Sequence, residues 1–439
     1  MFRSVRDLPR NVLYLVFGRA ISSLGSALTG FALNVWLYQQ TGSYTMFAML
    51  AVVNAIPGLI FSPIAGVLVD RYPKKSLLML CDVVSALSVA ALGLASLLGE
   101  LSPLLLAVSS FFLSLTRAIS WPAAWAAISS LTDKAQRPGV NGISEALNGG
   151  ISIFSPMLGA LLFELIGISG IALFDIVSYG LCIALLFAVR FPPETAKPVS
   201  EAASSPFAAL LNDCLSGFRW IRSHAGLSRL LLYFVVMNLG CSVFAVLYAP
   251  YVLSFSSENL LGICMALGGS GMIAGGLFYA VIGNKIRSES AVLMGGALVG
   301  ISMIGFGIMR SPMPLALCAF FYSAGFAAVN GASQTIWQTH VPLSMQGRVF
   351  SVRRMIAFGL NPLSVLISVP FIQAVLEPLL TGKIIGLPVG YLWGTGPTAP
   401  LGLMASLCGL LCVSVALLMF LFNGLRMQPP PVAIQPHTS

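Results

Sequence analysis

Long apolar runs separated by short polar turns fill the chain from residue 12 to residue 424. A bilayer core about 30 Å thick requires about 20 helical residues to cross it, and twelve runs reach that length. They are 12–38, 43–69, 76–98, 102–129, 143–163, 168–189, 228–253, 259–282, 290–309, 312–337, 350–376 and 400–424. The pattern therefore predicts an all-α integral membrane protein with twelve transmembrane helices.

One polar stretch, 190–227, is longer than the others and divides the runs six and six. It opens as FPPETAKPVSEAASSP, a composition typical of flexible linkers. Apolar residues then recur at helical spacing from Phe207 to Ile221, which predicts an amphipathic helix on the cytoplasmic membrane surface. We therefore predict two pseudo-symmetric six-helix bundles, 1–190 and 228–424. Residues 191–227 form the linker between them, and residues 425–439 form a disordered cytoplasmic tail.

Lys and Arg are distributed unevenly between the turns. Nineteen of the 23 fall in alternate turns, whereas the other turns hold only Arg310 and Lys383. Cytoplasmic loops of membrane proteins carry an excess of Lys and Arg, so we expect both termini in the cytoplasm and a multi-pass protein of the bacterial inner membrane. The basic residues of the first set are Arg3, Arg6, Arg10, Arg71, Lys74, Lys75, Lys134, Arg137, Arg190, Lys197, Arg219, Arg222, Arg229, Lys285, Arg287, Arg348, Arg353, Arg354 and Arg426.

Composition narrows the classes of function. Only 8% of residues are charged and 57% are hydrophobic, against roughly 25% charged in soluble domains. The net charge of +9 is explained by the basic turns, so nucleic acid is not an expected partner. No CxxC pair, HExxH, GxSxG or nucleotide-binding loop occurs, and the three His are scattered. A metal site, a disulfide framework, direct use of ATP and a membrane enzyme are therefore not expected.

The most specific motif is a charged turn between the second and third runs, with Gly66, Asp70, Arg71, Lys74 and Lys75. Its acid is expected to pair with a cationic side chain or with the positive N-terminal end of a neighbouring helix. Such a cluster would close one face of the protein and release it on movement. The alternative is a topology anchor made of cytoplasmic charges. The second half contains a weakly similar turn, VIGNKIRSESAVL, and its segment MQGRVF is weakly similar to AQRPGV of the first half. Two related halves of this kind are common in secondary transporters.

The motifs together resemble the major facilitator superfamily, from about residue 10 to 424. GVLVDRYPKK resembles the signature loop between its second and third helices, TRAISWPAAWAA its fourth-helix arginine motif, and SPMLGALL a divergent fifth-helix antiporter motif. FGRAISSLGSALTGFAL, ALFDIVSYG, GSGMIAGGL and GRVFSV are similar to the branch of macrolide-efflux proteins and the enterobactin exporter. The resemblance implies a central cavity lined by the first, fourth, seventh and tenth helices, and transport driven by a proton gradient.

Two cations lie inside apolar runs, where charge is costly and usually functional. Arg19 and Arg117 facing one cavity would favour an anionic or strongly polar substrate, or would pair with a titrating acid. Snorkelling to the cytoplasmic interface is the alternative for Arg19. The aromatic residues expected to offer apolar surface to a substrate are Phe31, Trp36, Trp121, Tyr233 and Trp337.

Three acids are candidates for proton coupling. Asp175 lies deepest, and desolvation favours proton binding at such a site; a buried hydrogen bond that fixes helix packing is the alternative. Asp82 and Glu145 lie nearer the cytoplasmic ends of their helices, where each would also serve to neutralise nearby Arg and Lys. Helix kinks or close helix packing are expected at Pro122, Pro156, Gly159, Gly271, Gly275 and Pro370.

The leading hypothesis is a proton-coupled exporter, acting as a monomer without a bound cofactor, of a hydrophobic or anionic small molecule such as a macrolide-like drug or a natural product. A siderophore exporter remains an alternative. A receptor or scaffold without transport activity is the alternative of another class, and it predicts an appended soluble domain. The outer loop at 377–399 receives no role, and neither the substrate nor the direction of transport follows from the residues.

Overall fold

The computed structural model describes residues 8–41, 53–54, 57–58, 60–192, 206–256, 258–380, 390–393, 399–422 and 424–425. All regular secondary structure within these ranges is helical, in agreement with the all-α prediction. Ten of the described segments are long and apolar enough to cross a membrane. About half of the second predicted span (43–69) lies outside the described residues, as do most of the linker before residue 206, most of the 377–399 loop and the tail after 425.

The helices of the first half are α1 (Arg10–Thr41), α2 (Ser62–Arg71), α3 (Lys74–Leu98), α4 (Pro103–Leu131) and α5 (Arg137–Ala188). A linker helix, α6 (Pro206–Ser223), follows. The second half contains α7 (Ala225–Leu253), α8 (Glu258–Ile282), α9 (Ser288–Ile308), α10 (Pro312–His340), α11 (Gln346–Gly359), α12 (Asn361–Phe371), α13 (Glu377–Leu380), α14 (Gly390–Trp393) and α15 (Ala399–Leu421).

Helix α5 is interrupted at Gly167, between the fifth and sixth predicted spans. Its 52 residues would extend about 78 Å as one straight helix, more than twice the thickness of a bilayer core. Gly167 has φ of 63° and ψ of −170°, a left-handed conformation that glycine adopts without the penalty a Cβ imposes. The chain therefore turns at Gly167, whereas Pro156 lies inside a continuous helical stretch.

The predicted span 350–376 is built from several helical pieces. Helix α11 ends before Leu360, α12 contains Pro370, and a π-helical turn, Ile372–Leu376, follows. Proline has no backbone N–H to donate and its ring clashes with the carbonyl one turn earlier, and π-turns are a common form of such local distortion. Pro122, in contrast, does not interrupt α4.

Small residues allow the helices to approach closely. A Cβ on Gly271 or Gly275 of α8 would collide with the carbonyl oxygens of Phe320 and Ala324 of α10. A Cβ on Gly159 of α5 would lie 2.8 Å from the ring of Phe31. All three glycines therefore lie at helix crossings, the setting in which small residues permit close packing.

One end of the molecule, here called the basic face, carries Arg71, Arg137, Lys285 and Arg348. These residues lie at the ends of α2 and α8 and at the starts of α5 and α11. The linker helix α6 also lies at this face, where a Cβ on Gly217 would lie 2.8 Å from the carbonyl oxygen of Arg348. Helix α6 is therefore packed against the helices of the protein, a contact that its amphipathic pattern did not predict.

Candidate functional site

Asp70, at the end of α2, binds the first turn of α11 across the boundary between the halves. Its carboxylate accepts hydrogen bonds from the backbone N–H groups of Gly347 at 2.6 Å and Arg348 at 3.1 Å, and from Nε of Arg348 at 2.9 Å. The Asp70 side chain is 4% exposed. Both partners expected for this acid, a cation and a helix N-terminus, are thus present at once.

A second acid completes the cluster from the linker helix. Asp213 of α6 accepts hydrogen bonds from Arg71 and, at 3.1 Å, from Nη1 of Arg348. Arg348 therefore joins α2, α6 and α11. We call Asp70, Arg71, Asp213 and Arg348 the basic-face latch. Asp213 was not predicted, because its only signal in the sequence is that of a single acid within an amphipathic helix.

The backbones of α2 and α11 touch beside the latch. A Cβ on Gly66 would lie 2.7 Å from the carbonyl oxygen of Gly347 and 2.8 Å from Cα of Arg348. The hydroxyl of Ser62 donates to the carbonyl oxygen of Ser351 at 2.9 Å. Only glycine fits at position 66 in this arrangement, which gives a physical reason for the first residue of the predicted motif.

Lys75, one of the two lysines of the predicted turn, makes its contacts away from the latch. Lys75 donates to the carbonyl oxygens of Phe187 and Val189, at 3.0 and 3.1 Å, at the end of α5. It therefore fastens α3 to another helix of the same half. This contact fits an anchoring role for Lys75 better than a gating role, and Lys74 begins the same helix.

A second set of contacts between the halves lies at the same face. Asn141 of α5 donates to Oγ1 of Thr335 at 2.8 Å and to Oε1 of Gln338 at 2.9 Å, and Arg137 donates to the carbonyl oxygen of Gln338 at 2.5 Å. These contacts use neutral acceptors. Asn284, which stands in the second half where the first has Asp70, is exposed. The basic face is thus closed by an ionic contact on one side and by amide contacts on the other.

Arg353 and Arg354, counted with the basic turns in the sequence, lie inside the protein because α11 begins at Gln346. The Arg353 guanidinium donates to Gln334 at 2.8 Å and to Ser333 at 3.1 Å, and lies 5.2 Å from the ring centre of Trp337. The guanidinium of Arg354 lies 4.9 Å from the ring centre of Trp121 in α4. Two cations predicted for a loop therefore belong to the interior.

The two cations predicted for the cavity differ in their surroundings. Arg19 is paired with Asp82 at 2.7 Å, and that acid is 2% exposed. Arg117 is exposed and forms no hydrogen bond or ion pair within the described ranges. The structure therefore places Arg19 and Asp82 together in a partly buried pair and leaves Arg117 available to another group.

Asp175 and Glu145 have contrasting environments. Asp175 is fully buried and accepts hydrogen bonds from the hydroxyls of Thr29 at 2.7 Å and Ser178 at 3.2 Å. Glu145 is 8% exposed and has no hydrogen bond or ion pair to any residue that the structure describes. It lies one helical turn from Asn141, on the side of α5 that meets the second half. Their role in proton coupling stays a prediction.

The predicted aromatic residues are spread over several environments. Trp121 is half-buried beside Arg354, and Phe31 packs against Gly159. Trp36 is half-buried within an apolar cluster of the first half. Tyr233 and Trp337 are buried in the core of the second half, so neither presents an open surface in this conformation.

An apolar groove lies along the seam between α1, α5 and α8. Its volume is about 580 Å³, and its walls include Phe17, Leu24, Ile151, Phe154, Ile273 and Leu277. Such a surface is suited to lipid tails or to an apolar molecule. Its residues come from three distant segments, and none of them was a predicted site residue.

A family profile and individual relatives of this chain indicate the same family. Residues 15–364 match the sequence profile of the Major Facilitator Superfamily. Macrolide efflux protein A of Streptococcus pyogenes is 24% identical over 81% of this chain and 87% of its own length. Multidrug efflux pump Tap of Mycolicibacterium fortuitum is 25% identical over 83% of this chain and 89% of its own.

Solved structures share the fold. A bacterial homologue of the iron transporter ferroportin, in an outward-facing state, superposes with a TM-score of 0.68 at 17% identity, over 93% of this chain and 99% of that one. The human organic anion transporter MFSD10 superposes with a TM-score of 0.69 at 17% identity, again over 93% and 99%. At these identities the likeness concerns the fold alone.

Proposed function

Because this chain belongs to the Major Facilitator Superfamily, and is therefore a membrane transporter rather than an enzyme, we propose that it exports a hydrophobic or anionic small molecule by alternating access, driven by the proton gradient. Two six-helix halves, 1–190 and 228–424, rock about a central site. The protein acts as a monomer in the bacterial inner membrane with both termini in the cytoplasm, and it requires no bound cofactor.

The observation that carries this proposal is the closure of the basic face by Asp70 and Arg348. Lys and Arg accumulate on the cytoplasmic side of membrane proteins, so the latch closes the cytoplasmic side. Arg117, near the centre of α4, is nevertheless exposed. An alternating-access transporter is expected, in one of its two states, to be closed on one side while a central residue remains accessible.

Export of drugs is favoured by the relatives, whose names are macrolide efflux protein and multidrug efflux pump. A siderophore or another acidic natural product is favoured by Arg117, which has no ion pair to any residue that the structure describes. Proton coupling is supported by Glu145, a buried acid without an ion pair in the described part of the chain. An intramembrane acid without a counter-charge is a recurrent element of proton relays.

The test of function is accumulation of a panel of macrolides, other antibiotics and siderophores in cells that carry the protein, an Asp70→Asn variant or neither. The proposal predicts lower accumulation of at least one compound with the parent protein and a smaller effect with Asp70→Asn. Equal accumulation of every compound in all three strains would contradict it. A protonophore should abolish the difference, since export then loses its driving force.

A further inference from the structure

A pair of arginines lies at the boundary between the halves. Arg117 belongs to α4, and Arg354 belongs to α11. The guanidinium of Arg354 lies 4.9 Å from the ring centre of Trp121, which follows Arg117 by one helical turn on α4. Arg354 has no hydrogen bond to any residue that the structure describes, and its Nη1 atom is buried without a partner.

Arg117 faces the space between the halves rather than lipid. Leu104, Val108 and Phe111 are exposed at helical spacing on α4, which identifies the lipid face of that helix. Arg117 lies nine positions after Val108, a rotation of about 180° from it around the helix axis. Its exposure is therefore to the interior of the transporter.

Among the residues that the structure describes, no carboxylate forms an ion pair with Arg117 or Arg354. The sequences of α4, α7, α10 and α11 contain no Asp or Glu, and Arg353 adds a third cation beside Arg354. Asp175 attracts Arg117 electrostatically but is bonded to Thr29 and Ser178 instead. The Arg354 guanidinium, whose Nη1 atom is buried without a partner among the described residues, is costly without a counter-charge, and an anion bound between the two arginines would offset that cost.

We propose that Arg117 and Arg354 hold the acidic group of an organic anion, a carboxylate or sulfonate on an aromatic body. This inference rests on the proposed transport function and names the class of its substrate. Arg provides the planar fork that matches such groups. The half-buried indole of Trp121, which stacks on Arg354, provides apolar surface for the ring. An anion held this way contacts both halves, so its binding is sensitive to their movement.

A lipid headgroup is not the ligand that this position fits. Arg117 lies midway along α4 (Pro103–Leu131), about 21 Å from either end. Headgroups reside at the two surfaces of the bilayer. A soluble organic anion that enters the space between the halves reaches the pair without crossing lipid.

The test compares three ligands of one shape and different charge: 2-naphthoate, neutral 2-naphthamide and cationic 2-naphthylmethylammonium. Binding to the full chain in phosphatidylcholine nanodiscs is measured by equilibrium dialysis. We expect the anion to bind at least about tenfold more tightly than the amide, and Arg117→Gln or Arg354→Gln to remove that preference. Arg229→Gln is the matched control and should bind as the parent does, since the only hydrogen bond of Arg229 to a described residue is to Ala225 of its own helix.

Equal binding of the three ligands, no binding of any of them, or unchanged anion binding in both Gln variants would overturn the inference. Thermal unfolding verifies that each variant is folded, and Arg354→Lys, which keeps the charge, should retain part of the preference. Export of macrolides without naphthoate binding would refute the anion site and leave the transport proposal intact. Naphthoate binding without export of any compound would refute the transport proposal instead.

Discussion

Asp213 and Arg348 lie 3.1 Å apart, so the helix that connects the two halves is fastened to the same arginine that binds Asp70. Asp213 also binds Arg71, so movement that separates α2 from α11 must break the contact of Arg348 with Asp70 and one of the two contacts of Asp213. The linker helix is thereby coupled to the state of the transporter. A cysteine at Ser351 reports on this movement, because that residue is fully buried where α11 meets α2.

Asp70→Asn should open the basic face. Asn has one acceptor oxygen and no charge, so it cannot replace the three hydrogen bonds that the carboxylate accepts. Loss of a hydrogen bond to a charged, buried partner costs about 1–3 kcal/mol. A membrane-impermeant maleimide added to everted vesicles should therefore label Ser351→Cys at least about fivefold faster with Asp70→Asn than without it.

The matched control for that measurement is Asp133→Asn, because Asp133 is an exposed acid at the same face. This variant should leave the labelling rate unchanged. Cys214 is the native thiol nearest the latch, and burial raises its pKa, so its background reaction is slow. Cys214→Ser removes that background altogether. Labelling at the same rate with and without the Asp70→Asn substitution would show that the latch does not hold the face closed.

Asp213→Asn should have a weaker effect of the same sign. The Asp213 side chain is 25% exposed, against 4% for Asp70, and partly exposed ion pairs contribute about 0–1 kcal/mol. We expect labelling of Ser351→Cys to rise by less than it does with Asp70→Asn. The order of the two variants is the critical result, since a larger effect of Asp213→Asn would assign the closure to the linker helix.

Gly66→Ala should also open the face, by a steric route. The new methyl group would lie within 3 Å of backbone atoms of Gly347 and Arg348, and overpacking typically costs about 1–3 kcal/mol. Gly180→Ala is the control, since nothing lies within 4 Å of its Cβ position. If Gly66→Ala labels as slowly as Gly180→Ala, the close approach of α2 and α11 is not part of closure.

Glu145→Gln should uncouple transport from the proton gradient, whereas Asp175→Asn should retain coupling and lower the thermal stability. The hydroxyls of Thr29 and Ser178 hold the Asp175 carboxylate in a packed site, but Glu145 is free to exchange a proton at the boundary between the halves. Efflux in proteoliposomes after a pH jump measures this difference. The control is Glu164→Gln, since Glu164 is an exposed acid on the same helix. Proton-coupled efflux by Glu145→Gln would exclude Glu145 as the site of proton coupling.

Local patterns predicted much of this structure, and pairings across the chain were beyond them. The length of apolar runs indicated the helices, and the charged turn indicated that Asp70 needs a cation or a helix end. The partner itself, Arg348, lies 278 positions away, and no local pattern encodes such a distance. Arg354 was assigned to a loop because helix ends follow hydropathy only to within a few residues, and stacking on Trp121 stabilises a cation that hydropathy would exclude.

The most direct test of the transport account is efflux by the purified chain in proteoliposomes. Vesicles are loaded with a labelled macrolide or with 2-naphthoate, and a pH difference is imposed across the membrane. The account predicts efflux that accelerates with the proton gradient, stops with a protonophore and is slowed by Asp70→Asn. Movement of both compounds at the rate of protein-free vesicles, or at a rate independent of the gradient, would contradict it.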